Sequence, residues 1–329
     1  MSPILTVTDL RVSFATEDGV VHAVDGVSFD VAPGEVVAIV GESGSGKSVT
    51  AQTLVGLTRS SNAKITGSVN FDGRELTTMS DDELRGVRGE HIAMVFQDPM
   101  TSLNPVYRVG DQIAEMIRAH RDVSRAEALS RAVELLRSVG IPTPERRVRD
   151  YPHEFSGGMR QRVMIAMALA LEPEILIADE PTTALDVTIQ AQILRLLDSL
   201  NRDRNLSVVL ITHDLGVVAE LADRVVVMYA GHIVEDAPLD ELFYNPQHPY
   251  TWGLLGSIAR LDEARPERLT QIPGSPPSLL NPPTGCRFAP RCKYAFDRCT
   301  QPPPLEARLN DPTHLDRCWL EPAEKVANR

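Results

Sequence analysis

The segment GESGSGKS, residues 41–48, directly follows the apolar run VVAIV and fits the pattern G-x-x-x-x-G-K-[ST]. Residues of these types at this spacing suit phosphate chemistry. Gly44 and Gly46 let backbone N–H groups turn toward phosphate oxygens, and a helix starting here directs its positive end at them. Lys47 is placed to reach β- and γ-phosphates, and the Ser48 hydroxyl to ligate Mg²⁺. A second segment, EILIADEP at 174–181, ends an apolar run in two carboxylates. Asp179 suits a Mg²⁺ ion, held directly or through water, and Glu180 suits the orientation of an attacking water. Alone, such a pair is more often a solvated acidic end of a strand. Beside a phosphate loop it completes a nucleoside triphosphate site.

A different kind of chemistry is suggested near the other end of the chain. The four cysteines, Cys286, Cys292, Cys299 and Cys318, are confined to the tail, and the preceding 285 residues contain none. No two are close enough for the C-x2–4-C pairs of common zinc sites, and the short ferredoxin run is absent, so spacing alone identifies no metal. The residues do offer four soft ligands. Arg287, Arg291, Lys293 and Arg298 lie nearby to offset thiolate charge, and Phe288, Tyr294, Phe296 and Trp319 could shield a site from water.

These residues need a scaffold, and the sequence outlines one. Three short apolar runs, at 36–40, 175–178 and 208–211, read as strands buried on both faces of a mainly parallel sheet. The first 35 residues alternate apolar and polar as half-buried strands do. Helical periodicity appears in DQIAEMIRAH and RAEALSRAVELLRSVG, with Gly140 as a stop, and Ile189, Ile193, Leu196, Leu197 and Leu200 share one helix face. Past about residue 258 prolines crowd in, which marks a boundary to a small appended extension.

The net charge of −12 argues against a broad nucleic-acid-binding surface. The first residues show no secretory pattern, and the longest apolar run, VMIAMALAL, is about half of what a bilayer crossing requires. The expectation is a cytoplasmic protein without a membrane span of its own. In a reducing compartment, clustered thiols bind a metal or cluster more often than they form disulfides.

Beyond the phosphate loop, YPHEFSGGMRQR at 151–162 precedes ADEPTTALD, and ITHD follows at 211–214. With these motifs, residues 4 to 258 or so resemble the ATP-binding-cassette family of ATPases. The resemblance implies an α/β P-loop ATPase with a mixed sheet core, an antiparallel β subdomain and a helical subdomain at about 98–170. It assigns residues 1–258 to the nucleotide-binding domain and 259–329 to the extension. It places Gly41, Ser43, Gly44, Ser45, Gly46, Lys47, Ser48 and Val49 around ATP, with Phe14 where an aromatic lies under adenine. A core role in a strand suits Phe14 equally well. Ser156, Gly157 and Gly158 match the signature that closes over the γ-phosphate held by a partner subunit. Asp186 falls in the dimer-contact loop at 184–186, and Gln97 matches a Mg²⁺-sensing glutamine. His213, which by itself would read as an ordinary packed or solvated histidine, matches one that contacts the γ-phosphate. The family usually has Leu and Gln where this chain has Phe155 and Met159. The first exchange is apolar for apolar; the second removes an amide from this subunit's half of a composite site.

Cassette proteins of chromosome maintenance and repair carry long coiled coils between phosphate loop and signature, and translation factors usually carry two cassettes. Here the gap is about 115 residues without sustained heptads, and there is one cassette. A transporter ATPase is therefore expected, with a soluble non-transport ATPase as the rival. The element NPQHPYTWGLL at 245–255 and the cysteine-bearing tail resemble the oligopeptide and dipeptide importer subfamily, with nickel or another small solute as the alternative cargo. This resemblance implies a second ATPase subunit as partner, more often a paralogue than a copy. It also implies two membrane permeases, an extracytoplasmic binding protein, no nucleic acid, and a location on the cytoplasmic face of the membrane. It further implies a [4Fe–4S] cluster on the four cysteines, with Zn²⁺ as the alternative.

Overall fold

A computed structural model describes residues 2–183, 185–257, 272–307 and 311–329. The extension boundary expected near residue 258, and Ala184 of the dimer-contact loop, lie outside these residues. The chain divides into two compact units, one comprising Ala32–Glu35 and Thr78–Ile211, the other Ser2–Val31, Val36–Thr77 and Thr212–Arg329.

In the first unit, strands Ile92–Val95, Ile175–Asp179 and Ser207–Thr212 run parallel, with Ile175–Asp179 in the middle. Their buried, β-branched side chains leave no polar face, as expected for strands covered on both sides. Helices Val109–His120 and Arg125–Ser138 form where the periodicity places them, and Gly140 follows the second with φ +76°. That left-handed conformation ends a helix at no cost to a residue lacking Cβ. Helix Val187–Arg204 buries Ile193, Leu196, Leu197 and Leu200, as its apolar stripe requires.

The second unit holds an antiparallel sheet in which Gly19–Val31, Leu5–Thr16, Ala63–Phe71 and Arg74–Glu75 are neighbours in that order. It also holds strand Val36–Val40, parallel to Arg224–Tyr229, which in turn pairs antiparallel with His232–Pro238. The tail adds to this edge: Leu315–Asp316 pairs with His232–Pro238, and Glu306–Ala307 pairs with Leu315–Asp316. Rather than forming a core of its own, the tail places Phe288 in a cluster with Tyr229 and Tyr250, ring centroids 5.2 and 5.4 Å away. His314 Nε2 hydrogen-bonds the Glu235 carboxylate at 2.8 Å and ties the tail to this edge, while within the tail Lys325 pairs with Asp316 at 2.7 Å, all four residues being buried. Glu235 also accepts the backbone N–H groups of Gln247 and His248, so its carboxylate is satisfied without water.

Candidate functional site

The phosphate loop leaves the buried strand Val36–Val40 and runs into helix Lys47–Leu54. Gly46 caps that helix at φ +103°, and a Cβ there would lie 2.4 Å from the Ala23 carbonyl oxygen. Only glycine fits. No side chain caps this helix start, the kind of helix start that suits an anion. Lys47 is buried, and its Nζ donates to the carbonyls of Gly41 at 2.7 Å and Glu42 at 3.0 Å. A buried lysine at the start of a helix without a side-chain cap suits a bound triphosphate. Ser48 and Val49 occupy the first turn of the same helix. Phe14 lies half-buried on strand Leu5–Thr16, paired with Val21 and Ala63.

The acidic pair sits in the other unit. Asp179 is buried at the end of its strand. Glu180 turns out of the sheet with φ +48°, a sparsely populated conformation for a non-glycine residue, held by its N–H on the Ile211 carbonyl at 2.8 Å. One carboxylate oxygen, Oε2, accepts from Gln97 Nε2 at 2.9 Å and from Thr183 Oγ1 at 2.8 Å. The structure thus joins Gln97 to Glu180 and adds Thr183, which the sequence reading missed. Its signal was available: a hydroxyl three residues past the acidic pair can bond back across the turn.

Ser156 caps helix Gly157–Ala168, its Oγ accepting from the Met159 N–H at 3.4 Å. Gly158 is pressed against Ile189, whose Cγ2 would lie 2.4 Å from an added Cβ. Glycine at 158 is therefore a packing requirement. Met159 contributes to the cap through its backbone, which any residue could do. Phe155 is buried with the Arg147 guanidinium over its ring. Asp186 caps helix Val187–Arg204 by accepting from the Ile189 N–H at 3.0 Å. His213 is exposed, directly after strand Ser207–Thr212 and in the same unit as the phosphate loop.

The cysteines require a correction. Among the described residues no group of three or more His, Cys, Asp or Glu side chains is arranged to hold a metal ion. The [4Fe–4S] cluster expected on Cys286, Cys292, Cys299 and Cys318 is not supported, and neither is the zinc alternative. The reason lies in where the supporting residues go. Arg287 pairs with Asp25 and Arg291 with Glu42, while Lys293 lies over the Tyr294 ring and Arg298 over Trp319. Phe288, expected to shield a cluster, packs on Tyr229 and Tyr250 instead. Burial favours the protonated form of Cys286, Cys292 and Cys318. It pushes Cys286 up to about 11 and Cys318 up to about 12.

Comparison with known proteins places the chain in a family. The family described as ABC transporter matches residues 24–183, and that described as oligopeptide/dipeptide transporter, C-terminal region, matches 234–299. The oligopeptide transport ATP-binding protein OppD of Bacillus subtilis is 55% identical over 318 residues, which cover 96% of this chain and 88% of that protein. The chain belongs to the ATP-binding-cassette transporter family. Within that family, the dipeptide transport ATP-binding protein DppD of Bacillus subtilis is 54% identical over 98% of this chain and 96% of its own length. A solved cassette, dimeric MJ0796 in a post-hydrolysis state bound to ADP and Pi, superposes with a TM-score of 0.65. It is 30% identical and covers 71% of this chain and 98% of its own. The α/β fold and the ATPase activity are those of the cassette family. Among the described residues no helix is long and apolar enough to cross a membrane.

Proposed function

We propose that this chain hydrolyses ATP to drive the uptake of short peptides, working beneath membrane permeases and paired with a second cassette subunit. The observation that carries the cargo is the match of residues 234–299 to the oligopeptide/dipeptide transporter C-terminal region, in a chain similar over nearly its whole length to oligopeptide and dipeptide transport proteins. Residues 1–258 would form the nucleotide-binding domain, with the helical part at about 98–170, and 259–329 the importer extension. The partner is a paralogous ATPase, an extracytoplasmic binding protein delivers peptide, and the subunit sits on the cytoplasmic face of the membrane.

Residues 41–49 cradle the triphosphate, Phe14 packs against adenine, and Lys47 leaves its two carbonyls for the β- and γ-phosphates. Ser48, Asp179 and Gln97 would hold Mg²⁺, which supplies neutralisation of phosphate charge. Glu180 is the group that polarises water. Gln97 and Thr183 both bond the same oxygen, Oε2, which fixes the carboxylate's direction. His213 contacts the γ-phosphate. Ser156, Gly157, Gly158 and Asp186 serve the nucleotide of the opposing subunit, the first through an N–H-rich helix start.

The test is co-purification with its permease pair and binding protein in lipid, followed by ATPase measurement with di- to pentapeptides and, separately, with Ni²⁺. Stimulation by peptides is expected. Stimulation by nickel alone would overturn the peptide assignment.

A further inference from the structure

The cysteine-bearing tail reaches the phosphate-loop region at two points, each through an arginine that flanks a cysteine. Arg291 uses all three of its nitrogens. Nη1 and Nη2 grip the Glu42 carboxylate at 2.6 and 3.1 Å, Nη2 also meets the Ile272 carbonyl at 3.1 Å, and Nε donates to the Pro273 carbonyl at 2.9 Å. Its side chain is 4% exposed. Pairing with Glu42, first among several contacts, raises its pKa above the ordinary arginine value. Glu42 is the second residue of the loop, and its backbone is held as well. Its N–H donates to the Tyr250 hydroxyl at 2.8 Å, and its carbonyl is one of the two on which Lys47 rests. Arg287 donates to the Ala230 carbonyl and pairs with Asp25. The next residue, Gly231, donates its N–H to the carbonyl of Ser45 within the loop at 2.9 Å.

We propose that the C-terminal tail is a brace for the phosphate loop, and that Arg291 is a positioning residue for nucleotide binding. The bidentate pair neutralises a carboxylate that belongs to the triphosphate cradle and holds the turn carrying the Lys47 acceptors. Without Arg291, Glu42 adds negative charge where a tetra-anion must bind, and the turn must be ordered by the nucleotide itself. Nucleotide affinity then depends on whether the tail is seated. This inference rests on residues 41–48 being the triphosphate cradle.

The experiment measures Mg²⁺–ATP affinity and the KM and kcat for ATP on the full chain. Arg291→Met should weaken binding about tenfold at low salt and less at high salt, since screening weakens the unmasked carboxylate's repulsion. KM should rise while kcat changes less than about twofold, because the residue does not touch the reacting atoms. Adding Glu42→Gln to Arg291→Met should restore most of the affinity, which a purely structural defect would not allow. Arg291→Lys should fall between, as a point charge replaces a fork, and it carries the test if Arg291→Met does not fold. Arg298→Ala, in the same tail but stacked on Trp319, should leave affinity unchanged. Unchanged affinity in the Arg291 variants, an equal loss in Arg298→Ala, or failure of Glu42→Gln to rescue would each overturn the brace. Lys47→Ala separates the two levels: if it too leaves affinity intact, the cradle assignment fails, and if it alone weakens binding, only the brace does.

Discussion

Two glutamates stand just beyond the ends of buried strands, and they are held in opposite ways. Glu42 follows strand Val36–Val40 and is gripped by charge, with both carboxylate oxygens on a buried arginine 249 residues away and its N–H on a tyrosine 208 residues away. Glu180 follows strand Ile175–Asp179, and its Oε2 accepts from two uncharged donors, Gln97 and Thr183, both within the same unit. Both carboxylates accept charge-assisted hydrogen bonds, but only Glu42 has a cationic partner that grips both of its oxygens. The first arrangement therefore suits a carboxylate that must stay put, the second one that must exchange partners when water and nucleotide arrive. Placement after a strand is common to both. The charge of the partner separates scaffold from chemistry.

The largest expected effect tests Glu180. Glu180→Gln should slow hydrolysis in the assembled complex about a hundredfold or more while ATP binding persists, because the group that polarises water is gone. Single-turnover kinetics would check it, and near-normal turnover would make Glu180 another scaffold residue like Glu42.

Next is the anchored loop. Lys47→Ala should weaken ATP binding at least about tenfold, since the cation that meets the phosphates is lost. Calorimetry showing unchanged affinity would detach the firmly held turn from nucleotide.

A pH effect should distinguish the two sites at intermediate size. His248 is buried in the turn that leads to Tyr250, and its Nδ1 accepts the Tyr250 N–H at 3.1 Å, which requires an unprotonated Nδ1. Burial, with Lys325 nearby, lowers its pKa to about 3. Since the unfolded histidine titrates near 6.5, the unfolded chain binds the proton first as pH falls. Stability is complete above pH ~6.5 and declines toward pH 3, by roughly 2 kcal/mol between pH 6.5 and 5. Thermal unfolding across that window should show the loss, and His248→Asn should flatten the slope. An unchanged slope in the variant would remove His248 as the source of acid sensitivity near the Glu42 anchor.

The smallest effect concerns Glu180 again. Thr183→Val removes one of two hydrogen bonds to the Glu180 carboxylate while Gln97 Nε2 still aims the same oxygen, so turnover should change only a few-fold. Combining it with Gln97→Ala should give more than the sum if the two donors share the work of aiming one oxygen. Strict additivity in kcat would mean that they act independently.

The legible parts of this protein are those whose physics is local. The strands at 36–40, 175–179 and 207–212 emerge from short β-branched runs because a strand buried on both faces cannot tolerate polar side chains. The phosphate loop and the signature helix emerge because a tight anion-binding turn restricts which residues can occupy consecutive positions. The tail shows the reverse. Cys286, Cys292, Cys299 and Cys318 together with nearby cations resembled a ligand set, yet the cations are committed to Asp25, Glu42 and two aromatic rings. Proximity along the chain said nothing about competing partners.

What the amino-acid order alone determined is the chemistry available: a triphosphate cradle, an acidic pair and a helix start suited to anions, each written within about a dozen consecutive residues. What only the tertiary structure decided is which groups constrain that chemistry. Thr183 reaches Glu180 only because the backbone turns through φ +48°. Arg291 reaches Glu42 with the tail's Phe288 packed on Tyr229 and Tyr250, and Tyr250 itself bonds the Glu42 N–H. Contacts across 208 and 249 residues follow from burial of apolar surface over the whole unit. No local spacing rule encodes that sum.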